Sequence, residues 1–462
     1  MIITGTDGLD WLYGTDSADW IYGYDSADVI YGRKGSDYIF GGNGNDWMNG
    51  GRGHDTIRGG RGDDQAFGGR GHDVLYGDEG NDTLDGGDGR DELHGGSGND
   101  WMFGGADADI LVGGDGGDIL NGGAGADFLN GGHGVDIAAY AGSGVGVHVS
   151  LLTGTAQYGD AAGDTLISIE GLTGSAHADV LIGDHSANWL SGGAGNDALS
   201  GNGGADVIGG GAGDDIMLGG AGNDRVFTGL GFDIADGGIG DRDTLDFSEN
   251  SAHGWTIDML TGRAEQVVSS KGQTVTLNAT DFSGFEVIVG SGADDVILGD
   301  KHSNSLYGGA GDDALVGAAG NDYLYSGAGS YDRLFGNTGD DGLVADAEAA
   351  FVEMTGGSGA DVFLFAFDPV LSTGLRGEIT DYDRTEGDRI AFSAAFADDL
   401  IFIGEAAFSG DGQMAFRVQS ILGGMATQVQ VDSDGDGATD WFFNVLQDDG
   451  LGLLGASDFY FD

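Results

Sequence analysis

From Gly5 to Ala139 the chain repeats one nine-residue pattern fifteen times without insertion or deletion: six glycine-rich polar positions, then three of which the middle one is apolar. Glycine stands first and aspartate sixth in every unit, as in GGNGNDWMN, GGRGHDTIR and GGRGHDVLY. The middle positions are Leu12, Ile21, Ile30, Ile39, Met48, Ile57, Ala66, Leu75, Leu84, Leu93, Met102, Leu111, Leu120, Leu129 and Ala138. Side chains alternate along an extended strand, so such a trio predicts a short strand with one residue facing inward. Glycines at the first, second and fourth positions predict a tight loop with positive φ. A chain alternating loop and strand must go out and come back. Two units therefore make one coil, and residues eighteen apart stack at about 4.8 Å. The predicted fold is all-β, a parallel roll whose core is one side chain wide.

The sixth position supplies the candidate chemistry. Its residues in this run are Asp10, Asp19, Asp28, Asp37, Asp46, Asp55, Asp64, Asp73, Asp82, Asp91, Asp100, Asp109, Asp118, Asp127 and Asp136. Stacked pairs such as Asp46 with Asp64, or Asp55 with Asp73, bring carboxylates and loop carbonyls of adjacent coils around a space suited to a hard cation that takes six to eight oxygens. The pattern resembles the RTX calcium-binding repeat, GGxGxDxUx with U a large apolar residue. That resemblance implies a β-roll with calcium between its coils.

Repeats return twice. Seven units run from Gly174 to Asp236, with Asp179, Asn188, Asp197, Asp206, Asp215, Asp224 and Asp233 in sixth position. A third block begins at Gly290 and carries Asp295, Asn304, Asp313, Asp322, Asp332, Asp341 and Asp361. Both asparagines fall in the second unit of their block, where an amide is expected to weaken or remove a calcium site. The expected organisation is roll at 1–140, β insert at 141–173, roll at 174–236, β insert at 237–289, roll at 290–364 and a C-terminal β-domain at 365–462. The inserts share Thr153-Gly154 against Thr261-Gly262 and Glu170 against Glu286. Alternation at Val145, Val147, Val149 and Leu151, followed by a Thr-Gly turn, reads as the first strand of a β-hairpin.

Charge and cysteine content sharpen this picture. A formal charge of −60 opposes compaction by self-repulsion, and stacked aspartates require cations. Unit pairs two apart give on the order of twenty calcium ions over the chain. With no cysteine there is no disulfide framework, which leaves metal ions as the crosslinks of a thin core. Nucleic acid is excluded as a partner because the net charge repels phosphate.

After residue 365 the nonad gives way to aromatic and β-branched runs. Within them Asp432, Asp434, Asp436 and Asp440 form DSDGDGATD, a D-x-D-x-D-G loop like the first part of an EF-hand calcium loop, with Phe443 where its closing acid would stand. GEITDYDRTEGDRIAFS and the ending ASDFYFD resemble the C-terminal region of RTX proteins exported by type I secretion machinery. The resemblance implies an uncleaved export signal there and a secreted or bacterial cell-surface protein. MIITGTDGLDWLYG lacks the basic start and apolar stretch of a signal peptide, and no run approaches the eighteen apolar residues of a membrane span.

No enzyme is expected. Repeats, inserts and the C-terminal region occupy residues 5–462, and HExxH, GxSxG and a cysteine nucleophile are all missing. His54 and His72 stand eighteen apart and stack, but zinc would need further ligands. The first coils carry outward aromatics: Trp20, Tyr22, Tyr38 and Phe40 on one face, and Trp11, Tyr13, Val29, Tyr31 and Trp47 on the other. Lys34, Arg52 and Arg70 are expected beside the first face. Three uses fit: ladders that stiffen the roll while arginines neutralise carboxylates, a platform for an acidic polysaccharide, or self-association. The expected role is an extracellular structural protein that folds on binding calcium, with polysaccharide binding as the alternative.

Overall fold

The computed structural model describes the chain apart from residues 250–252, 271–272, 347, 367–373, 393–400, 403–414, 422–425, 433–440, 448–453, 455 and 462. It contains two units, Met1–Val226 and Phe227–Asp462.

In the first unit, strands eighteen residues apart pair in parallel and in register. Ile39 lies opposite Ile21 and Ile57, and Leu84 opposite Ala66 and Met102. Alternate nonads thus build two sheets, and the middle residues of both point between them. Ile21 through Ala138 are fully buried, with Leu12 at the rim. Each such leucine or isoleucine contributes about 1.5–3 kcal/mol relative to exposure. That is a narrow core for so acidic a chain.

Most strands are longer than the trio predicts. In the first unit, where the following loop opens with a glycine pair, its first three positions join the ladder, as in Trp47–Arg52 and Thr56–Arg61. Gly51 there lies opposite Gly69, and Arg52 opposite Arg70. Trp11–Tyr13, Gly171–Thr173 and Val180–Ile182 stay three residues long, and the loops after them carry Thr15, Ser175 and Asp184 as second residue.

The stretch 141–173 leaves the roll and rejoins it. His148–Ser150 and Thr155–Gln157 form an antiparallel hairpin, with Gly154 at φ 63° in its turn. The expected strand over Val145–Leu151 shortens to His148–Ser150, because Val145 is 56% exposed and only Val147 and Val149 are buried. His148–Ser150 also pairs in parallel with Val180–Ile182. Thr165–Ile167 and Gly171–Thr173 then re-enter the two sheets opposite Phe128–Asn130 and Ile137–Ala139.

The second unit repeats this plan with a longer excursion. Trp255–Asp258, Arg263–Ser270 and Gln273–Ser283 form an antiparallel meander, and its first strand pairs in parallel with Val296–Leu298. Trp255 is buried against Phe247, ring centroids 4.6 Å apart. The roll that follows absorbs irregularities of one and two residues in its loops: Leu315 faces Leu334, nineteen on, and Leu334 faces Met354, twenty on. Beyond 365 the parallel sheets continue. Gly374–Tyr382 pairs with Val352–Ser358, Arg389–Phe392 with Val362–Phe365, and Phe459–Phe461 with Arg389–Phe392. Ala415–Ile421, Ala426–Asp432 and Trp441–Gln447 add an antiparallel layer. Asp432 ends a strand, while Asp434, Asp436 and Asp440 lie outside the described residues.

Candidate metal centre

From Asp19 to Asp136 every sixth-position aspartate is at most 2% exposed, although none has an apolar side chain. The coil repeat explains why they tolerate the interior. Within the repeats the backbone N–H donates to Oδ1 of the aspartate one coil on: Asp46 to Asp64 at 2.7 Å, Asp55 to Asp73 at 2.7 Å, Asp197 to Asp215 at 2.8 Å and Asp341 to Asp361 at 2.9 Å. One carboxylate oxygen is thereby satisfied. The other, Oδ2, is buried without a hydrogen-bond partner in Asp28, Asp37, Asp46, Asp55, Asp64, Asp73, Asp82, Asp91, Asp100, Asp109, Asp118, Asp127 and Asp136, and in Asp197, Asp206, Asp313, Asp322, Asp332, Asp341 and Asp361.

An ionised oxygen left this way costs several kcal/mol, so it demands a proton or a cation. Burial pushes Asp37 and Asp46 up to about 6, Asp55 and Asp109 to about 7, and Asp64 and Asp313 to about 8. Backbone oxygens crowd the same place. A Cβ built on Gly68 would lie 2.6 Å from Asp73 Oδ2 and 2.7 Å from the Gly86 carbonyl, and one on Gly104 would lie 2.6 Å from both Asp109 Oδ2 and the Gly122 carbonyl. Glycine at the first position is therefore a steric requirement. Among the described residues no three histidine, aspartate or glutamate side chains converge. A cation between coils must then complete its shell from loop carbonyls, and an all-oxygen set of this kind fits calcium. When bound, the ion would offset the carboxylate charge of the coils it joins.

The ladder extends through residues outside the nonads. Asp127 N–H donates to Asp164 Oδ1 at 2.8 Å, Asp136 N–H to Glu170 Oε2 at 2.9 Å, Asp243 N–H to Glu286 Oε2 at 2.9 Å, and Asp361 N–H to Asp388 Oδ1 at 3.0 Å. The shared Glu170 and Glu286 of the two inserts was the visible signal: each glutamate takes the place of an aspartate where the chain re-enters the roll. Tyr140 O–H donates to Asp164 Oδ2 at 3.2 Å, so a phenol serves the second oxygen there.

The aromatic residues of the first coils stack as their register demands. Trp20 lies on Tyr38 at 4.3 Å between centroids, Tyr22 on Phe40 at 5.1 Å and Tyr13 on Tyr31 at 5.3 Å. Lys34, Arg52 and Arg70 form one row, but at the ends of Val29–Lys34, Trp47–Arg52 and Gln65–Arg70. These strands belong to the sheet of Tyr31 and Trp47, not to that of Trp20 and Tyr38, which corrects the expected side. The expectation failed because the third position closes the preceding strand rather than opening the next. Arg33 and Asn49 line the same groove, and Arg33 covers the Tyr13 ring at 5.5 Å. Lys34 pairs with Asp16 at 2.7 Å and Arg70 with Asp88 at 3.2 Å. The rings of His54 and His72 stack at 5.0 Å, but each Nδ1 accepts a backbone N–H, from His72 and Arg90 respectively, which occupies the lone pair zinc would need.

The model of the RTX calcium-binding nonapeptide repeat matches residues 4–39, 40–75, 76–111, 112–138, 173–208, 200–235, 209–242, 281–315, 299–331 and 307–343, together more than half of the chain. No curated protein matches it. Among solved structures, the solution structure of the AlgE6R3 subunit from the Azotobacter vinelandii mannuronan C5-epimerase is 26% identical, with 36% of this chain and 78% of that one covered and a TM-score of 0.22. Among the described residues no helix is long and apolar enough to cross a membrane.

Proposed function

The chain belongs to the family of RTX calcium-binding nonapeptide-repeat proteins, and from that premise we propose that it is a secreted structural protein, a matrix or cell-surface component, that folds on calcium after export. One observation carries this reading: rows of buried carboxylate oxygens that no protein group serves. Such rows favour an unfolded chain where calcium is scarce and a roll where it is abundant. Catalysis is not part of the proposal. Imaging of the purified chain in millimolar calcium tests the role. Ordered filaments or lattices are expected, and monomers that show no assembly would count against it.

The basic row supports a second reading, binding of an acidic polysaccharide. Lys34, Arg52 and Arg70 present one cation per coil beside exposed aromatics, although Asp16 and Asp88 already pair with two of them. Saturable binding of a polyuronate by monomers, lost in Arg52→Glu with Arg70→Glu, would put this reading first.

We propose that export depends on the C-terminal region, because residues 377–393 and the segment DFYFD resemble that region of RTX proteins exported by type I secretion machinery. Removing the final segment, from Ile403 onward, is expected to trap the protein inside cells that carry a type I exporter. Normal secretion of that truncation would refute the assignment.

A further inference from the structure

Two kinds of loop carry the sixth-position residue. In glycine-pair loops the second and fourth positions have positive φ, as at Gly42 (121°) and Gly44 (127°). The fourth N–H then bonds across to the next coil, from Gly44 to the Arg61 carbonyl at 2.6 Å and from Gly53 to that of Arg70 at 2.8 Å. The loop of Asp28 keeps this backbone with Tyr24 at 86° and Ser26 at 78°, so an absent side chain is not what defines it.

The second kind occurs at 5–10, 14–19, 174–179, 183–188, 290–295 and 299–304, and its second residue is Thr6, Thr15, Ser175, Asp184, Ser291 or Asp300. That side chain accepts the fourth N–H of its own loop: Ser17 to Thr15 Oγ1 at 3.2 Å, His177 to Ser175 Oγ at 3.1 Å, Ser186 to Asp184 Oδ1 at 2.7 Å and His302 to Asp300 Oδ1 at 2.8 Å. The backbone N–H of the same residue donates to the sixth side chain. The distances are 2.6 Å from Thr6 to Asp10 Oδ2, 2.6 Å from Thr15 to Asp19 Oδ2 and 2.6 Å from Ser175 to Asp179 Oδ2. Asp184 donates to Asn188 Oδ1 at 2.7 Å, and Asp300 to Asn304 Oδ1 at 2.9 Å. In the threonine and serine loops the hydroxyl adds a second donor to the same oxygen, 2.9 Å at Asp10, 2.8 Å at Asp19 and 3.0 Å at Asp295.

We infer that these six loops hold no calcium, and that Asp10, Asp19, Asp179 and Asp295 are hydrogen-bond acceptors rather than metal ligands. The turn closed by the second side chain delivers to Oδ2 the donors that a cation must replace in the glycine-pair loops. Asn188 and Asn304 carry the same conclusion independently, because a neutral amide makes the same hydrogen bond in the same turn. The six loops are the first two of each of the three blocks, so each block opens on a full coil closed by protein groups without a cation. Such a coil can form before metal binds and present an edge on which the calcium-dependent coils assemble. The inference rests on the calcium reading of the other loops.

Counting bound calcium by equilibrium dialysis on full-length variants tests it, with circular dichroism in excess calcium confirming that each has folded. Asp179→Asn and Asp295→Asn are expected to leave the number of bound ions and the calcium midpoint unchanged, and Asn188→Asp and Asn304→Asp to add no ion. Asp206→Asn and Asp313→Asn, in loops whose second and fourth positions have positive φ, should each lose at least one ion. Where either fails to fold, Asp64→Asn in the longest block takes its place. A lost ion in Asp179→Asn or Asp295→Asn, or a gained one in Asn188→Asp or Asn304→Asp, overturns the inference while the calcium reading stands. A wild-type chain that binds no calcium overturns both.

Discussion

Withdrawing calcium from the folded protein is expected to abolish its β-rich circular dichroism spectrum, and restoring millimolar calcium to recover it cooperatively. The core cannot hold the roll by itself, because each coil buries only two inward side chains and contacts only its neighbours. Against it stand a formal charge of −60 and rows of buried oxygens without protein donors. An ion that binds only the folded state stabilises it by about 2.7 kcal/mol per site at a hundred times its dissociation constant, and many sites act together. Asp64→Ala removes a carboxylate that lies between Asp46 and Asp82 in the row, so it should raise the calcium midpoint by weakening sites on both sides. A cooperative β spectrum in excess chelator would sink this expectation.

Without calcium, acid is expected to do part of the same work. Burial raises the folded-state pKa of Asp37, Asp46, Asp73 and Asp82 to about 6, of Asp55, Asp109, Asp332 and Asp361 to about 7, and of Asp64 and Asp313 to about 8, from 3.8. A carboxyl group raised in this way binds more protons folded than unfolded. Its contribution to stability is full below the unfolded value and vanishes as pH rises through the folded one. In chelator, the β signal should therefore grow as pH falls from 8 towards 5. In calcium the direction reverses, since protons compete for the same oxygens, and the calcium midpoint should rise over that range. Metal-free spectra that coincide at pH 5 and pH 8 would contradict the assignment.

The period of nine made the repeat core legible residue by residue, because strand alternation leaves one inward place per trio and Leu75 or Leu111 can only fill it. Register followed from the same count, as did the stacking of Asp46 on Asp64. Three features escaped for physical reasons. A strand is lengthened into its loop by pairing with the next coil, as Gly51 pairs with Gly69 and Arg33 with Gly51, and a single unit does not reveal this. The acceptors Asp164, Glu170, Glu286 and Asp388 lie outside the period and reach their places through tertiary pairing. The side of the basic row is hidden because the nonad alone does not show that Lys34 ends Val29–Lys34 rather than leading into the next strand.

The pairing distance of one coil also governs how a chain of this kind can change its length over descent. Within the unbroken run of the first unit a strand depends on partners eighteen residues before and after it, so copying one whole coil creates partners at the same spacing. An excursion such as 148–157 is equally harmless when the chain returns in register, as Thr165–Ile167 does opposite Phe128–Asn130. The parallel openings GDHSANWLSGGAGND and GDKHSNSLYGGAGDD are what such copying leaves behind. Growth by coils lengthens the molecule without the redesign of a core that a globular domain would require.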